Sequence, residues 1–147
     1  MYIVENSLGF LLAKAYQRAF AIFKNELEFY ELTPPQFGIL RFLWQEDGMT
    51  QVELSEKCQV DRTTLGGLID RLERNCLVER HPHPNDRRAY LIRLTTKGKT
   101  LEAPLLECSK RATAKLTSGL HDDEIGELTR MLQILRGEER IYENPTF

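Results

Sequence analysis

Several kinds of site require residues that this sequence has in small number. The three cysteines, Cys58, Cys76 and Cys108, are far apart and odd in number, which argues against a disulfide framework and against a cysteine-rich zinc site. No apolar run approaches the roughly 18 residues of a membrane-spanning helix, and no secretory leader pattern is present. We therefore expect a cytoplasmic protein with no part in a membrane.

Motifs for catalysis and for metal binding are also missing. The sequence has no glycine-rich phosphate loop and no serine–histidine–aspartate pattern, so we expect neither an enzyme nor a cofactor. His81, His83 and His121 are the three histidines. Pro82 and Pro84 predict a turn around the first two, and no acidic or cysteine ligand clusters with them, so no metal site is predicted.

Positive charge is concentrated in the middle third of a chain whose net charge is -2. Residues 57–99 contain 10 Lys and Arg against 5 Asp and Glu, whereas residues 1–56 and 100–147 are both acidic. Salt screens charges beyond about 10 Å, so a local basic patch can attract phosphates even on an acidic protein. The alternative is an ordinary solvated surface, and charge alone does not decide between the two.

Helical patterns fill the first half of the chain. Apolar side chains at helical spacing predict a helix within residues 7–30. The Thr-Pro-Pro-Gln stretch at 33–36 and the Thr-Gln-Val-Glu stretch at 50–53 are capping boxes, which predict two further helix starts. Asp61 is a predicted N-cap for a fourth helix that runs to about Asn75.

The periodicity then changes from helix to strand. Residues 77–81 and 89–95 are predicted strands, and the polar stretch 82–88 between them is a long basic hairpin tip. Two short helices joined by a tight link and followed by a β-hairpin predict a winged helix-turn-helix, a mainly α fold with a small β-hairpin wing.

Two helices are predicted after the hairpin. The first covers about 97–118, with a kink at Pro104 and an end at Gly119. The second begins near Asp122, where acidic residues suit a helix N-terminus. Its apolar stripe is Ile125, Leu128, Met131, Leu132 and Leu135.

The start of the fourth helix is the predicted base-contacting segment, because a helix-turn-helix inserts that end into the major groove. Arg62 can reach a guanine edge or a phosphate, and Thr63 and Thr64 can contact phosphates, bases or thymine methyls. The alternative for both threonines is helix capping. Gln51 begins the preceding helix and can contact the DNA backbone.

The hairpin tip carries Asp86, Arg87 and Arg88. A carboxylate two residues before an arginine can hold its guanidinium in a bidentate pair and aim it. A narrow minor groove has enhanced negative potential and accepts an aimed arginine. Taken alone, however, an exposed ion pair without function is the simpler interpretation.

Six short stretches carry a family resemblance. They are Leu32-Thr33-Pro34-Pro35-Gln36-Phe37, Val60-Asp61-Arg62-Thr63-Thr64, Ile69-Asp70-Arg71-Leu72-Glu73, Leu77-Val78-Glu79-Arg80, Asn85-Asp86-Arg87-Arg88 and Leu94-Thr95-Thr96-Lys97-Gly98. With them, residues 33–98 resemble the core of the MarR (multiple antibiotic resistance regulator) family, and with the flanking helices the resemblance covers nearly the whole chain. The aspartate and arginine of the wing, followed by Leu-Thr-x-x-Gly, are specific to that family.

The resemblance implies a homodimeric transcription regulator that binds double-stranded DNA at a pseudo-palindromic operator. Residues 1–32 and 100–147 would form a helical dimerisation region, and 33–99 the DNA-binding domain. Arg88 would probe the minor groove, with Asp86 orienting it. The family usually represses nearby genes and releases DNA when a small-molecule effector binds.

Two features depart from the family pattern. Gly66 and Gly67 occur in the recognition helix, where two glycines cost roughly 1 kcal/mol each against alanine. They allow close approach to DNA or weaken base recognition, and the sequence does not decide which. Gly67 and Arg74 complete the predicted DNA-binding set. Cys76 stands where family members often have glycine, so a left-handed backbone is expected there.

The family's effector crevice lies between the dimerisation helices and the winged domain. Side chains expected there would suit a small aromatic or acidic effector. All except the arginine are also good core residues. They are Tyr16, Phe20, Phe37, Arg41 and Trp44.

A winged-helix module that binds protein instead of DNA is the alternative function. Such a module has no need of the basic wing tip or of a basic middle third.

Overall fold

A computed structural model describes residue 1 and residues 3–137 of the chain. The end of the predicted dimerisation region, 138–147, lies outside the described residues. Seven α-helices and three strands follow one another in the described part, with 3-10 turns at Val4–Asn6 and Glu28–Tyr30. In chain order they are α1 Leu8–Leu27, α2 Pro34–Gln45, β1 Met49–Thr50, α3 Gln51–Cys58, α4 Arg62–Arg74, β2 Val78–Pro82, β3 Tyr90–Leu94, α5 Thr96–Thr100, α6 Glu102–Leu116 and α7 Asp122–Leu135.

Both predicted capping boxes are present. The hydroxyl of Thr33 accepts the backbone N–H of Gln36, whose side chain accepts the backbone N–H of Thr33. Thr50 and Glu53 make the same reciprocal pair at the start of α3. Each box satisfies donors that a helix N-terminus otherwise leaves unpaired, so the starts of α2 and α3 are fixed locally.

The helix-turn-helix is formed by α3 and α4. Gln59 links them with a left-handed backbone, φ 54°, which allows a turn of only three residues. Asp61 then caps α4 by accepting the backbone N–H of Thr64 at 2.8 Å. Cys76, just beyond α4, has φ 60°, so the left-handed conformation expected there is confirmed.

The wing contains one strand more than the sequence predicts. β2 and β3 pair antiparallel in the register Arg80↔Ile92, which is the predicted hairpin shifted by about one residue at its ends. The short β1 adds to the other edge of β3, giving the order β1-β3-β2. β1 has only two residues, too few for an alternating pattern to be visible in the sequence.

The prediction of one helix over 97–118 is wrong, because the structure has two. The helical stretch is divided at Leu101 into α5 and α6, and it ends at Leu116 instead of Gly119. Pro104 is the reason for the division, because a proline ring clashes with the carbonyl four residues earlier and has no N–H to donate. The helix therefore restarts, and Pro104 lies in the first turn of α6, where proline is tolerated.

The core is one cluster beneath α2, α4 and the sheet. Fully buried side chains come from most elements of the winged domain and from α6. They include Ile39, Leu40, Leu43, Leu54, Leu65, Ile69, Leu72, Ile92 and Leu105.

Long helices α1 and α6 are tied together by charge as well as packing. The carboxylate of Glu26 accepts hydrogen bonds from Lys115 and Arg111, and its side chain is only 10% exposed. Hydrogen bonds from Lys115 and then Arg111 hold the pKa of Glu26 below its usual value. Arg18 of α1 also donates to the carbonyl of Leu116 at the end of α6.

Within the described residues, no helix is both long enough and apolar enough to cross a membrane.

Gly98 of α5 is required by close packing, so we expect Gly98→Ala to destabilise the fold. A Cβ there would overlap the carbonyl oxygen of Leu77 and lie 3.2 Å from its carbonyl carbon. The expected loss in free energy of unfolding is about 1–3 kcal/mol, measured by thermal unfolding at one fixed protein concentration. Gly67→Ala is the control: nothing lies within 4 Å of its Cβ, and the helix should gain roughly 0.5–1 kcal/mol. Equal melting temperatures for the two variants would contradict this account.

Candidate nucleic-acid interface

The N-terminal end of α4 presents the predicted base-contacting residues. Arg62 and Thr63 are exposed there. The Thr64 hydroxyl is already engaged, because it donates to the Asp61 carboxylate at 2.8 Å. Hydrogen bonds from the backbone N–H and then the hydroxyl of Thr64 lower the pKa of Asp61. Thr64 therefore serves the helix cap, which was the alternative for this residue.

At the wing tip, Asp86 acts on the backbone of Arg88. Its Oδ1 accepts the backbone N–H of Arg88 at 3.0 Å, and its carbonyl accepts the N–H of Ala89. The predicted bidentate grip on the guanidinium is therefore wrong. A carboxylate two residues before an N–H closes an Asx-type turn, and this local bond competes with the longer reach to the side chain. Asp86 thus shapes the turn from which Arg88 projects.

A cleft of about 360 Å³ separates the wing from the helix-turn-helix. Arg62 lines one side and Arg88 the other, so two residues 26 positions apart in sequence share one concave surface. Gln51 and Asp86 also line it. Sequence analysis missed Val52 and Tyr90, which are 41% and 47% exposed. Their signal is weak, because a single apolar residue on a short element looks like part of the core.

Five predicted residues are exposed but lie outside this cleft. They are Thr63, Thr64, Gly67, Arg74 and Arg87. A Cβ on Gly67 would have no neighbour within 4 Å, so packing inside the chain does not require glycine there. Its open side is compatible with close approach of another molecule.

Arg80 of β2 was not predicted as a site residue, although it contacts both helices of the motif. Its guanidinium reaches Asp70 and Glu73 of α4 at 2.7 and 3.1 Å and Gln51 of α3 at 3.3 Å. These partners come from separate elements, so only the tertiary fold brings them together.

A second, more apolar cleft of about 440 Å³ lies between α1 and α2. Four of the five predicted effector residues line it: Tyr16, Phe20, Phe37 and Arg41. The Arg41 guanidinium lies 5.7 Å from the centre of the Phe37 ring, in a cation–π geometry. Trp44 does not line this cleft, because its indole N–H points the other way and donates to the carbonyl of Gly98 at 3.0 Å.

The histidines and cysteines have local roles. His81 contacts the Glu79 carboxylate at 3.0 Å, and the His83 ring accepts the backbone N–H of Asn85. Burial raises the pKa of the Cys58 thiol, which agrees with an inert, partly buried residue.

A capped helix-turn-helix followed by a hairpin with exposed arginines at its tip defines a winged helix-turn-helix protein. The sequence model of the MarR family matches residues 32–90. The transcriptional repressor NicR of Pseudomonas putida is 34% identical over 135 residues, which cover 92% of this chain and 84% of NicR. The chain belongs to the MarR family of transcription regulators.

Solved structures agree with this assignment over nearly the whole chain. BpsR of Bordetella bronchiseptica, a protein whose DNA binding is regulated by 6-hydroxynicotinic acid, superposes with a TM-score of 0.87 at 28% identity, covering 95% of this chain and 99% of BpsR. A cysteine-to-serine variant of E. coli MarR in complex with operator DNA superposes with a TM-score of 0.83 at 29% identity, covering 91% of this chain and 99% of that one.

Proposed function

We propose that this protein is a sequence-specific DNA-binding repressor that acts as a homodimer and leaves its operator when a small aromatic acid binds. The observation that carries the proposal is the cleft shared by Arg62 and Arg88. One arginine lies at the start of a helix that fits a major groove, and the other lies on a wing beside it. Relatives named as a repressor and as an operator complex support the same function. Action on chromosomal DNA implies a cytoplasmic protein.

Contacts of two kinds follow from this geometry. Arg62 and Thr63 at the start of α4 would meet base edges, and the half-buried Gln51 would donate its amide to a phosphate. Arg88 would enter the adjacent minor groove, with Arg87 and Arg74 contacting the backbone. Asp86 would contribute by shaping the turn beneath Arg88, not by contacting DNA.

Dimerisation is supported by apolar helix surface that the single chain leaves uncovered. None of the α7 residues is buried, and Leu132 and Leu135 are 43% and 57% exposed. Leu8 and Leu11, near the start of α1, are 64% and 50% exposed. An isolated helix of this length is marginal in water, so α7 needs a partner surface. A second copy would supply it. The start of α1 and the exposed face of α7, within residues 1–32 and the described part of 100–147, would form the interface.

The cleft between α1 and α2 supports an aromatic acid as the effector. Its walls are aromatic and apolar, and Arg41 supplies one positive charge for a carboxylate. The effector of BpsR, 6-hydroxynicotinic acid, has this chemistry. The cleft is a candidate effector site and Trp44 supports its wall from behind, since its ring packs edge-on against Phe37.

Binding to the DNA upstream of the protein's own gene tests the first part of the proposal. We expect a footprint of two half-sites about one helical turn, near 34 Å, apart. Arg88→Ala should weaken binding and lower the slope of log affinity against log salt by about 1. Arg62→Ala should cost roughly 1–3 kcal/mol and relax preference at one base pair. Titrations of DNA with each variant at several salt concentrations measure both the affinity and the salt slope.

Lys110→Met is the matched control, because it removes a positive charge from an exposed ion pair on α6. It should leave affinity and slope unchanged. A wild-type protein that binds this DNA no better than random DNA, with a slope near zero, would instead favour the protein-binding alternative.

The wing-tip turn predicts that Asp86→Asn and Asp86→Ala differ. An asparagine Oδ1 can still accept the Arg88 N–H, so Asp86→Asn should keep DNA affinity within about threefold, whereas Asp86→Ala should weaken it by roughly 0.5–1.5 kcal/mol. Equal losses in both variants, measured by the same titration, would mean that the carboxylate charge matters and would restore the ion-pair explanation.

Arg41→Met should reduce the response to an acidic effector while leaving DNA binding intact. With 6-hydroxynicotinic acid as the probe, we expect the concentration that releases half the DNA to rise about tenfold, because a charge-assisted hydrogen bond contributes roughly 1.5–3 kcal/mol. The neutral amide of the same compound is the ligand control, and Lys110→Met is the protein control. Release by acid and amide at equal concentrations would contradict a role for Arg41 in charge recognition.

A further inference from the structure

The wing strand β2 carries an arginine that is mostly sheltered from solvent. The Arg80 side chain is 20% exposed, whereas Arg62, Arg87 and Arg88 are exposed. It extends from the sheet across the space between α3 and α4. Arg80 does not line the cleft that Arg62 and Arg88 share, which separates it from those two arginines.

All three guanidinium nitrogens of Arg80 have partners inside the chain. Nε donates to Oε1 of Gln51 at 3.3 Å. Nη1 contacts Oε1 of Glu73 at 3.1 Å, and Nη2 contacts Oδ1 of Asp70 at 2.7 Å and the carbonyl of Gly66 at 3.3 Å. The Arg80 backbone N–H also donates to Glu73. A planar guanidinium offers its donors in a fixed fork, so this arrangement leaves no bidentate face for a phosphate.

The two carboxylates held by Arg80 matter because of where they lie. Asp70 and Glu73 are the acidic residues within Arg62–Arg74, and they share one helix face with Arg62 at spacings of eight and eleven residues. At 1.5 Å per residue, Asp70 is about 12 Å along the axis from Arg62, near one screening length in moderate salt. Without a counter-ion, this face would repel phosphates close to the base-contacting end.

Gln51 is oriented by the same guanidinium. Its side-chain oxygen accepts from Arg80, so its amide nitrogen is the atom available to donate outward. A phosphate is an acceptor only, and this orientation is therefore the productive one. A Cβ at Gly66 would meet the Gln51 amide nitrogen at 4.0 Å, an ordinary contact, so the arrangement does not require glycine there.

We propose that Arg80 is a positioning residue for DNA binding: its single positive charge offsets one of the two carboxylate charges at the end of the recognition helix, and it orients Gln51, but it makes no contact with DNA. The proposal rests on the proposed function, because it assumes that α4 meets DNA. A simple count of basic residues would assign the Arg80 charge to a phosphate contact. The proposal assigns it instead to the carboxylates of α4 and to Gln51.

Salt dependence separates this role from a phosphate contact. Arg80→Met keeps the aliphatic stem and removes the charge and the donors. We expect DNA affinity to fall about tenfold, within the range for residues of one charged network. The salt slope should stay that of the wild type, because no phosphate contact is lost. A slope reduced by about 1, as expected for Arg88→Ala, would overturn the proposal. So would unchanged affinity.

A double-mutant cycle with Asp70→Asn tests the neutralisation directly. In the wild-type background Asp70 is already paired, so Asp70→Asn should change DNA affinity less than about twofold. In the Arg80→Met background the same substitution should recover about fivefold, because it removes an unpaired negative charge. Equal effects of Asp70→Asn in both backgrounds would show that Arg80 does not neutralise this carboxylate and would overturn the proposal.

Arg80→Lys keeps the experiment decisive if Arg80→Met does not fold. Its single nitrogen retains the charge but cannot hold Gln51 and both carboxylates together. We expect a smaller loss of about threefold, with the wild-type slope and a cooperative thermal transition. A lower salt slope without a loss of DNA affinity would overturn the proposal. Wild-type binding in the same series tests the proposed function separately, since its absence would leave no affinity for any variant to change.

Discussion

The base of the wing is held by the last turn of α2 and the loop that follows it, and the positions of both candidate sites depend on this attachment. Oδ1 of Asp47 accepts the backbone N–H of Leu94, and Gly48 donates to the carbonyl of Ile92. Trp44 adds a bond from its indole to Gly98. Gly48 has φ 75°, which a residue with a side chain adopts only with strain. The sheet is thus fixed at its root while its tip remains exposed.

Helix α2 also forms a wall of the candidate effector cleft. Phe37 and Arg41 line that cleft from the earlier turns of α2, and Phe37 packs edge-on against Trp44. A ligand bound between α1 and α2 would therefore touch the element that carries the wing. Packed interiors shift between discrete arrangements more readily than they deform continuously, so one rigid helix shared by two sites is a physical basis for coupling them.

Features that depend on residues close together in the sequence are predicted correctly. Both capping boxes and the Asp61 cap depend on contacts over three positions, and all are present. The family motif predicts Arg62 and Arg88 as DNA-binding residues, whereas the cleft that they share depends on the tertiary fold. The flanking helices were predicted less accurately: the proline at 104 marked a break, but not that the helix would stop at Leu101 and restart.

The remaining errors concern partners that are distant in sequence or that compete locally. β1 pairs with a strand some 40 residues later, and its two residues carry no pattern of their own. Asp86 had two acceptor geometries open to it, and the nearer backbone N–H took precedence over the side chain. The family resemblance predicts Trp44 in the effector cleft, but its indole N–H requires an acceptor and donates to the carbonyl of Gly98.

The structure adds most to the sequence in showing which charged side chains are paired within the chain. The excess of Lys and Arg in residues 57–99 predicts a basic surface. Arg80, however, forms ion pairs with Asp70 and Glu73 of the same domain. What the domain offers to phosphates is therefore set by which arginines lack an internal partner and are exposed. Arg62 and Arg88 lie on opposite sides of one cleft, whereas Arg80 is engaged with Asp70 and Glu73, whose side chains are 59% and 43% exposed. A protein with a net charge of -2 can in this way present a locally cationic face, because exposed arginines from two elements are gathered at one cleft.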